Sequence, residues 1–252
     1  MSTQAGLEPE LEDFLLRVVP GLAEHWKGSR PEEIAQIERI AGRPLPPFYR
    51  WFLTRMGQSM GPLAYPTLDF SAQRVLTCYA EELVAPHPRF LLIGYDSDEM
   101  MPLHFFYDLD LPARADARVI RRHAEGGERH DPYETFRELL AYGALLSFRV
   151  GRMPQACTAL LVGDEPDILS YLDPVMDSLG FARPVFTGSC CGLYERHDAA
   201  MVCSKIPRDE PEAIMAFTLG GKDSGTLRKI MGSIATETSL KIKMIEWEPP
   251  LA

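Results

Sequence analysis

The residues best suited to covalent chemistry are cysteines and histidines, and their arrangement decides what they could do. Cys190 and Cys191 are adjacent, and His197 follows in the same short stretch. A nucleophilic thiol needs a lowered pKa and a base held against it. Closeness in sequence provides neither, so we interpret the stretch as a hairpin with small residues, with thiol catalysis as the alternative.

The histidines and cysteines show no metal-binding pattern. None of the six histidines is spaced as HxH or HExxH, and no two of the five cysteines form a CxxC pair. We therefore predict no metal site and no cofactor. His104 precedes two phenylalanines, which favours a hydrogen-bonded strand residue. The odd number of cysteines favours buried, reduced thiols in a cytoplasmic protein.

The segment LGGKDSG, residues 219–225, resembles the S-G-G-x-D-S phosphate loop of ATP pyrophosphatases. It lies between a predicted strand and a predicted helix, where backbone N–H groups can bind an anion. However, a leucine replaces the first serine, and only 28 residues follow Ser224, too few for that fold. We favour a turn at Gly220-Gly221 and a helix cap at Asp223 or Ser224. A phosphate- or nucleotide-binding module is the alternative.

The sequence of residues 159–181 resembles the beginning of a response-regulator receiver domain, with Asp164, Glu165 and Pro166 at its acidic start. Gly163 stands where a second acid is usual, and no strand ending in Asp followed by Met-Pro appears downstream. Mg²⁺ would therefore have too few carboxylate ligands. We favour a helix cap for these residues.

The charge of the chain restricts its partners. It has 252 residues, 26 of them basic and 36 acidic, with a formal net charge of −10. That charge repels phosphate backbones and favours a partner with a basic surface. No apolar run approaches the roughly 20 residues that span a bilayer, and the acidic N-terminus does not resemble a secretory signal. We predict a cytoplasmic protein with no nucleic-acid or membrane partner; the oligomeric state stays open.

Apolar residues at helical spacing predict three helices in the first part of the chain. The first spans about residues 11–26 and is kinked or divided at Pro20. The second begins at Ser29-Arg30-Pro31-Glu32, which has capping-box spacing, and ends at Gly42. The third has on one side Phe48, Trp51, Phe52 and Met56.

The connection between the second and third helices is Gly42-Arg43-Pro44-Leu45-Pro46-Pro47. A glycine suits the left-handed conformation that follows a helix, and Leu45 can pack between the two helices. The prolines fix the backbone angles of the turn at low entropic cost. We predict a rigid corner with a structural role rather than a direct binding role.

Strands are predicted after Gly61, near Phe90–Ile93, Leu103–Tyr107 and Arg118–Arg121. The segment Asp131-Pro132-Tyr133-Glu134 repeats the capping pattern and predicts a closing helix, which Phe136, Leu139 and Leu140 mark. Helices followed by an antiparallel sheet and a closing helix make an α+β domain, which we place at residues 1–150.

A second domain is predicted at residues 156–252, after a linker over 148–156. Its order of strand, helix, strands, helix and strand predicts a ferredoxin-like α/β sandwich. The final strand is predicted to be half-exposed, with Ile242 and Met244 on its apolar side.

The first domain carries a pattern of seven positions in fixed order: Ile34, Glu38, Gly42, Leu45, Pro46, Tyr49 and Leu53. The pattern resembles the signature of the SUKH superfamily, bacterial immunity proteins related to the yeast Smi/Knr cell-wall regulators. The resemblance covers roughly residues 28–145, where FLLIGYDSDEMMPLHFFYDLD and YETFRELL are similar to the family's strand pair and closing helix. SUKH-like helices packed on an antiparallel sheet are therefore expected. Residues 157–252 resemble no family that we can name.

The resemblance implies a binding protein rather than an enzyme: an immunity protein that neutralises a cognate toxin, in many cases a nuclease. An acidic surface can bind the basic cleft that a nuclease presents to phosphates. We predict partner binding at the acidic residues that follow the strands, Asp96, Asp98, Glu99, Asp108 and Asp110; an ordinary solvated loop is the alternative. An enzymatic or phosphate-binding second domain and a regulatory scaffold without a toxin partner are the competing functions.

Overall fold

The computed structural model describes residues 9–98, 100, 102–206 and 213–249. The chain forms two compact units that divide between Arg137 and Glu138. Both units combine helices with an antiparallel sheet, so the α+β class is confirmed. In the described part of the chain, no helix combines the length and apolarity required to cross a membrane.

The described residues of the first unit include the α-helices α1 (Pro9–Val18), α2 (Leu22–His25), α3 (Pro31–Ala41), α4 (Pro47–Met56) and α5 (Ala72–Ala80). The first predicted helix is divided as expected, because Gly21, in the left-handed region with a φ of 73°, follows Pro20 and precedes α2. The sequence analysis did not predict α5. Its N-terminus is capped by the Ser71 side chain, which accepts a hydrogen bond from the Arg74 backbone N–H.

The sheet of the first unit contains β1 (Leu68–Asp69), β2 (Phe90–Asp96), β3 (His104–Ala113), β4 (Asp116–His123) and β5 (Gly126–His130). The strands lie side by side in chain order, and every pair is antiparallel. Phe136 lies at the centre of the aromatic core, against the rings of Phe48, Tyr49, Phe52, Phe70 and Tyr107. Burial of these large rings supplies much of the apolar surface that holds the helices on the sheet.

The predicted corner joins α3 to α4 through a network of hydrogen bonds. Gly42 ends α3 with a φ of 66°, in the left-handed region that glycine tolerates best. The Glu38 carboxylate accepts a hydrogen bond from the Leu45 backbone N–H at 3.3 Å and forms an ion pair with Arg50. Pro46 is the N-cap residue of α4. The remaining positions of the pattern are buried: Ile34, Leu45, Tyr49 and Leu53.

Arg43 fixes this corner to the rest of the first unit. Its guanidinium donates to the Pro88 carbonyl at 2.9 Å, to the Leu109 carbonyl at 3.1 Å and to the Asp110 carboxylate at 3.0 Å. The corner is therefore held by polar contacts to two distant parts of the chain as well as by its prolines.

Two predicted helix caps are wrong in detail. The N-cap residue of α3 is Arg30 rather than Ser29, and Glu33 rather than Glu32 accepts from the Arg30 backbone N–H at 2.9 Å. The helix after residues 131–134 is α6 (Phe136–Phe148). Its first N–H groups are bound by Asp116, whose carboxylate accepts from Phe136 at 3.1 Å and from Arg137 at 3.3 Å. Sequence spacing could not reveal a cap supplied from an earlier strand.

The second unit comprises the rest of α6 and the following elements: β6 (Gln155–Gly163), α7 (Ile168–Ser178), β7 (Cys191–Glu195), β8 (Ala199–Lys205), β9 (Ala213–Gly221), α8 (Ser224–Glu237) and β10 (Lys241–Glu248). Its sheet has the order β10-β6-β9-β8-β7, again with antiparallel pairs throughout. Side chains from α7 and α8 pack with alternate strand residues into one apolar core. A 3-10 helix at Val150–Arg152 occupies part of the predicted linker.

Candidate functional site

The predicted acidic residues lie at two separate ends of the first unit's sheet. Phe90, at the start of β2, pairs with Asp108 on β3, whereas Asp96 ends β2. Six residues of extended strand span roughly 20 Å. Asp96 and Asp98 therefore lie at one end of the strand pair, and Asp108 and Asp110 lie at the other. Glu99 lies outside the described residues.

Asp96 anchors the loop that follows β2. It is 3% exposed. Its carboxylate accepts from the Asp98 backbone N–H at 3.1 Å, from the Leu103 N–H at 3.4 Å and from the Arg121 guanidinium at 3.2 Å. These bonds connect Asp98 and Leu103 through Asp96 to Arg121 on β4, so the chain that follows β2 has a fixed base.

The middle of the same loop is exposed. Asp98 is solvent-exposed, and its carboxylate accepts from the Met100 backbone N–H at 2.8 Å. The Met100 side chain is 93% exposed. Ser97 donates to the Thr67 carbonyl through both its backbone N–H, at 2.8 Å, and its hydroxyl, at 3.0 Å. The loop therefore exposes the Asp98 carboxylate and the flexible Met100 side chain, while contacts to Thr67 and Arg121 fix its base. We call residues 96–100 the acidic loop.

At the other end of the sheet, Asp108 is 1% exposed and is bound by Arg89 through two hydrogen bonds of 2.8 and 2.6 Å. Burial alone would raise the pKa of Asp108, but the hydrogen bond and charge of Arg89 lower the pKa overall. Asp110 is exposed and forms the ion pair with Arg43. Asp96 and Asp108 therefore have structural roles: neither is a solvated loop residue, and neither carboxylate lies on an open surface.

A cleft of about 430 Å³ adjoins the acidic loop. That volume lies within the usual range of small-ligand pockets. Its wall is formed by the chain from Met56 to Ser71 together with Arg74, Tyr95 and Ser97. Because Ser97 belongs to the acidic loop, the loop forms one rim of the cleft. Exposed Asp69, which pairs with Tyr95 on the neighbouring strand, adds a second carboxylate near that rim.

Two of the lining side chains, Arg74 and Tyr95, belong to a stack of three. The Arg74 guanidinium lies 4.1 Å from the centre of the Tyr95 ring, and that ring stacks on His104 at 4.7 Å. His104 Nδ1 accepts from the Asp96 backbone N–H at 3.0 Å, in agreement with the predicted hydrogen-bonded strand residue. Burial lowers the pKa of His104, which favours the neutral imidazole that can accept this bond.

Sequence reasoning missed Asp69 and Arg74 because no element was assigned to residues 61–80. The helical spacing of Ala72, Val75 and Cys78, all buried in α5, was the available signal. Residue Asp69 also begins an Asx turn, since its carboxylate accepts from the Ser71 N–H at 2.8 Å.

The environment of Cys190, Cys191 and His197 is not that of a nucleophilic thiol and its base. Cys190 and Cys191 are buried, and burial raises the pKa of Cys191 well above its usual value. The His197 side chain is 86% exposed. A lowered thiol pKa is what a nucleophile requires, so the environment of Cys191 opposes that role.

The glycines of the LGGKDSG segment have a packing role. Gly220 and Gly221 lie inside β9, so the predicted turn is wrong. A Cβ atom at Gly221 would lie 2.6 Å from the Leu227 side chain, and one at Gly220 would lie 2.7 Å from the Val150 carbonyl. The predicted cap is correct: Asp223 accepts from the Thr226 backbone N–H at 2.7 Å.

The receiver-like segment does precede a capped helix, but the cap is not at the predicted residues Asp164, Glu165 and Pro166. Asp167, just before α7, accepts from the Ser170 backbone N–H at 3.3 Å. Across the described ranges, no group of three or more histidine, cysteine, aspartate or glutamate side chains is placed to hold a metal ion.

Comparisons with known proteins extend neither the resemblance nor the site: no family model matches the chain, and no curated protein is significantly similar to it.

Proposed function

We propose that the chain is an immunity protein of the SUKH type, which binds a cognate toxin and blocks it by covering part of its surface. The acidic loop and the rim of the adjoining cleft are the contact surface in this proposal. The partner is a toxin with a basic surface, such as a nuclease, and the encounter takes place in the cytoplasm. No catalytic step is assigned to the chain.

One observation carries the proposal: the acidic loop exposes Asp98 and Met100 from a base fixed by Asp96, Arg121 and Thr67. A loop whose base is already fixed loses less conformational entropy when it binds. Exposed carboxylates at its tip and at Asp69 attract a basic surface and speed the encounter. Methionine adapts its shape to an apolar contact at the centre of such an interface.

The architecture of each unit supports the finer fold assignment. In the first unit, two helices meet at a corner and are followed by a sequential antiparallel sheet, the order expected of a SUKH-like domain. In the second unit, β9 separates β6 from β8 in the sheet, and β10 lies on the outer side of β6. This split β-α-β arrangement supports a ferredoxin-like sandwich with β7 as an added strand.

The competing readings of the second unit have less support. Close packing of Gly220 and Gly221 leaves those residues without an open anion-binding loop, and the two adjacent thiols are buried. A Gly221→Ala variant, which would be a natural test for nucleotide binding, would clash with Leu227 and so could not separate lost binding from lost folding.

The test is co-expression with the product of the neighbouring upstream gene. We expect the intact chain to protect cells and to co-purify with that product as a complex. Asp98→Lys should weaken both effects, because it places a positive charge against a basic surface. Failure of the wild-type chain to protect cells or to form a complex would refute the proposal and favour a regulatory scaffold with another partner.

Asp110→Lys is the matched control. It makes the same charge change at an exposed aspartate at the opposite end of the β2–β3 pair. We expect it to leave protection unchanged. Loss of protection in Asp110→Lys with full protection in Asp98→Lys would place the contact surface at the Arg43 corner instead.

A further inference from the structure

The strand β10 forms an edge of the second unit's sheet. Among the described strands it pairs with β6 alone, and six of its eight residues are charged or carry exposed apolar side chains at the centre of the strand. Met244 is 74% exposed and Ile245 is 45% exposed. An edge strand offers unpaired backbone N–H and C=O groups to another strand.

A β-bulge at Met244-Ile245 determines which side chains share a face. Lys243 pairs with Leu160 and Glu246 pairs with Thr158, so two residues of β10 stand opposite one residue of β6. Met244 has a φ of 54°, in the left-handed region. The alternation predicted from the sequence, with Met244 on the apolar side, is therefore wrong beyond Lys243.

The bulge brings all the charged residues of β10 to one face. Ile242 and Trp247 both pack against the apolar core formed with α7 and α8. Their direct neighbours point to the opposite face, because side chains alternate along a strand. Those neighbours are Lys241, Lys243, Glu246 and Glu248, and all four are exposed.

The sequence of β10, KIKMIEWE, is complementary to itself when read antiparallel. Pairing about the midpoint between Met244 and Ile245 sets Lys241 opposite Glu248 and Lys243 opposite Glu246. The same register sets Ile242 opposite Trp247 on the other face. Opposite residues of an antiparallel pair must share a face, and without the bulge Lys243 and Glu246 would not.

We propose that two copies of the chain associate through antiparallel pairing of β10 with β10 of the second copy, about a twofold axis between Met244 and Ile245. The two sheets then continue as one, with Met244 and Ile245 of both copies in contact at the centre. This antiparallel register pairs all four charges of each strand with opposite charges, whereas parallel pairing in register would oppose like charges. The proposal is independent of the toxin-binding function.

The test measures the mass of the full chain in solution by sedimentation equilibrium. We expect a concentration-dependent dimer of twice 28.3 kDa. Two double variants reverse the charges of one half of the strand: Lys241→Glu with Lys243→Glu, and Glu246→Lys with Glu248→Lys. Each should weaken self-association by roughly tenfold or more, because every cross-strand ion pair becomes a like-charge pair.

Mixing the two double variants gives the decisive result. One variant then has an all-acidic strand and the other an all-basic strand, so an equimolar mixture should form a heterodimer at least as strong as the wild-type dimer. Lys27→Glu with Lys222→Glu, both exposed lysines outside β10, changes the charge equally and should dimerise like the wild type. Circular dichroism verifies that each variant is folded. If a double variant is unfolded, the single variants Lys243→Glu and Glu246→Lys replace the two double variants in the same experiment.

A wild-type chain that is monomeric at its highest soluble concentration would overturn the proposal. Variants that dimerise as strongly as the wild type, or a mixture that forms no heterodimer, would overturn it as well.

Discussion

The two ends of the β2–β3 strand pair carry the same motif, an aspartate, one intervening residue and a second aspartate. At Asp96 and Asp108, the first carboxylate is buried, is bound by an arginine and accepts from the backbone N–H two residues later, at 3.1 and 3.3 Å. Asp98 and Asp110, the second residues, are exposed. One acidic motif thus divides into a structural carboxylate and a surface carboxylate.

The two surface carboxylates differ in what holds them. Asp110 forms an ion pair with Arg43 of the corner. Asp98 accepts from the Met100 backbone N–H of its own loop and follows Ser97, which lines the cleft. An arginine neutralises much of the field that Asp110 would project toward a partner. In the proposed function the Asp98 end contacts the toxin, whereas Asp110 helps to hold the corner through Arg43.

The largest expected effect is loss of a first aspartate. Asp96→Ala or Asp108→Ala leaves a guanidinium and backbone N–H groups without their buried acceptor, which should cost about 2–4 kcal/mol. For a chain of this size the melting temperature should fall by roughly 5–15 °C. Thermal unfolding followed by circular dichroism measures the change.

Asp98→Ala and Asp110→Ala are the matched controls for this loss. If Asp98→Ala or Asp110→Ala lowers the melting temperature as much as Asp96→Ala or Asp108→Ala, the division of the motif into structural and surface carboxylates is incorrect.

Asp116 sharpens the comparison, because it is a buried aspartate held by backbone N–H groups rather than by a guanidinium. Burial raises the pKa of Asp116 from 3.8 to about 7, the opposite direction from Asp108. The folded-state pKa lies above the unfolded value, so the stability that Asp116 contributes is present at low pH and is lost as the pH rises through about 7. Between about pH 5 and pH 8 the loss should be about 2 kcal/mol.

Asp116→Asn tests the source of this pH dependence. The amide oxygen keeps an acceptor for the first turn of α6, but the side chain no longer titrates. The melting temperature of the variant should change less than that of the wild type between pH 5 and pH 8. Equal pH profiles would show that the carboxyl group of Asp116 does not titrate in this range.

The smallest effects on stability are expected at the second aspartates. Asp110→Ala removes an exposed ion pair with Arg43 and should cost less than about 1 kcal/mol. Asp98→Ala removes the hydrogen bond from the Met100 backbone N–H and should cost about 0.5 kcal/mol. Urea unfolding measures both; a large loss at Asp98 would mean that this residue supports the fold rather than the proposed contact.

Much of the fold was predictable because it depends on local patterns. The corner could be located from Gly42 and its prolines, the division of the first helix from Pro20, and the cap of α8 from Asp223. What the sequence could not indicate are contacts between distant residues, such as Asp116 at the start of α6 and Arg43 on Asp110. The bulge of β10 was also hidden, because Met244 fits an alternating pattern but adopts a left-handed conformation.

The candidate site was predicted only in part. Asp98 and Asp110 are exposed, as a contact surface requires, but charge alone could not distinguish them from Asp96 and Asp108, whose burial depends on Arg121 and Arg89. The cleft involves β1, which is two residues long, and α5, whose helical spacing was not recognised, so Asp69 and Arg74 were overlooked.

The most direct test of the account is the rate at which the chain associates with its toxin, measured by stopped-flow fluorescence at several salt concentrations. We predict that Asp98→Lys slows association about threefold or more at low salt and reduces the salt dependence, whereas Asp110→Lys leaves both near the wild-type values. Equal rates for Asp98→Lys and the wild-type chain would contradict the claim that the acidic loop is the contact surface.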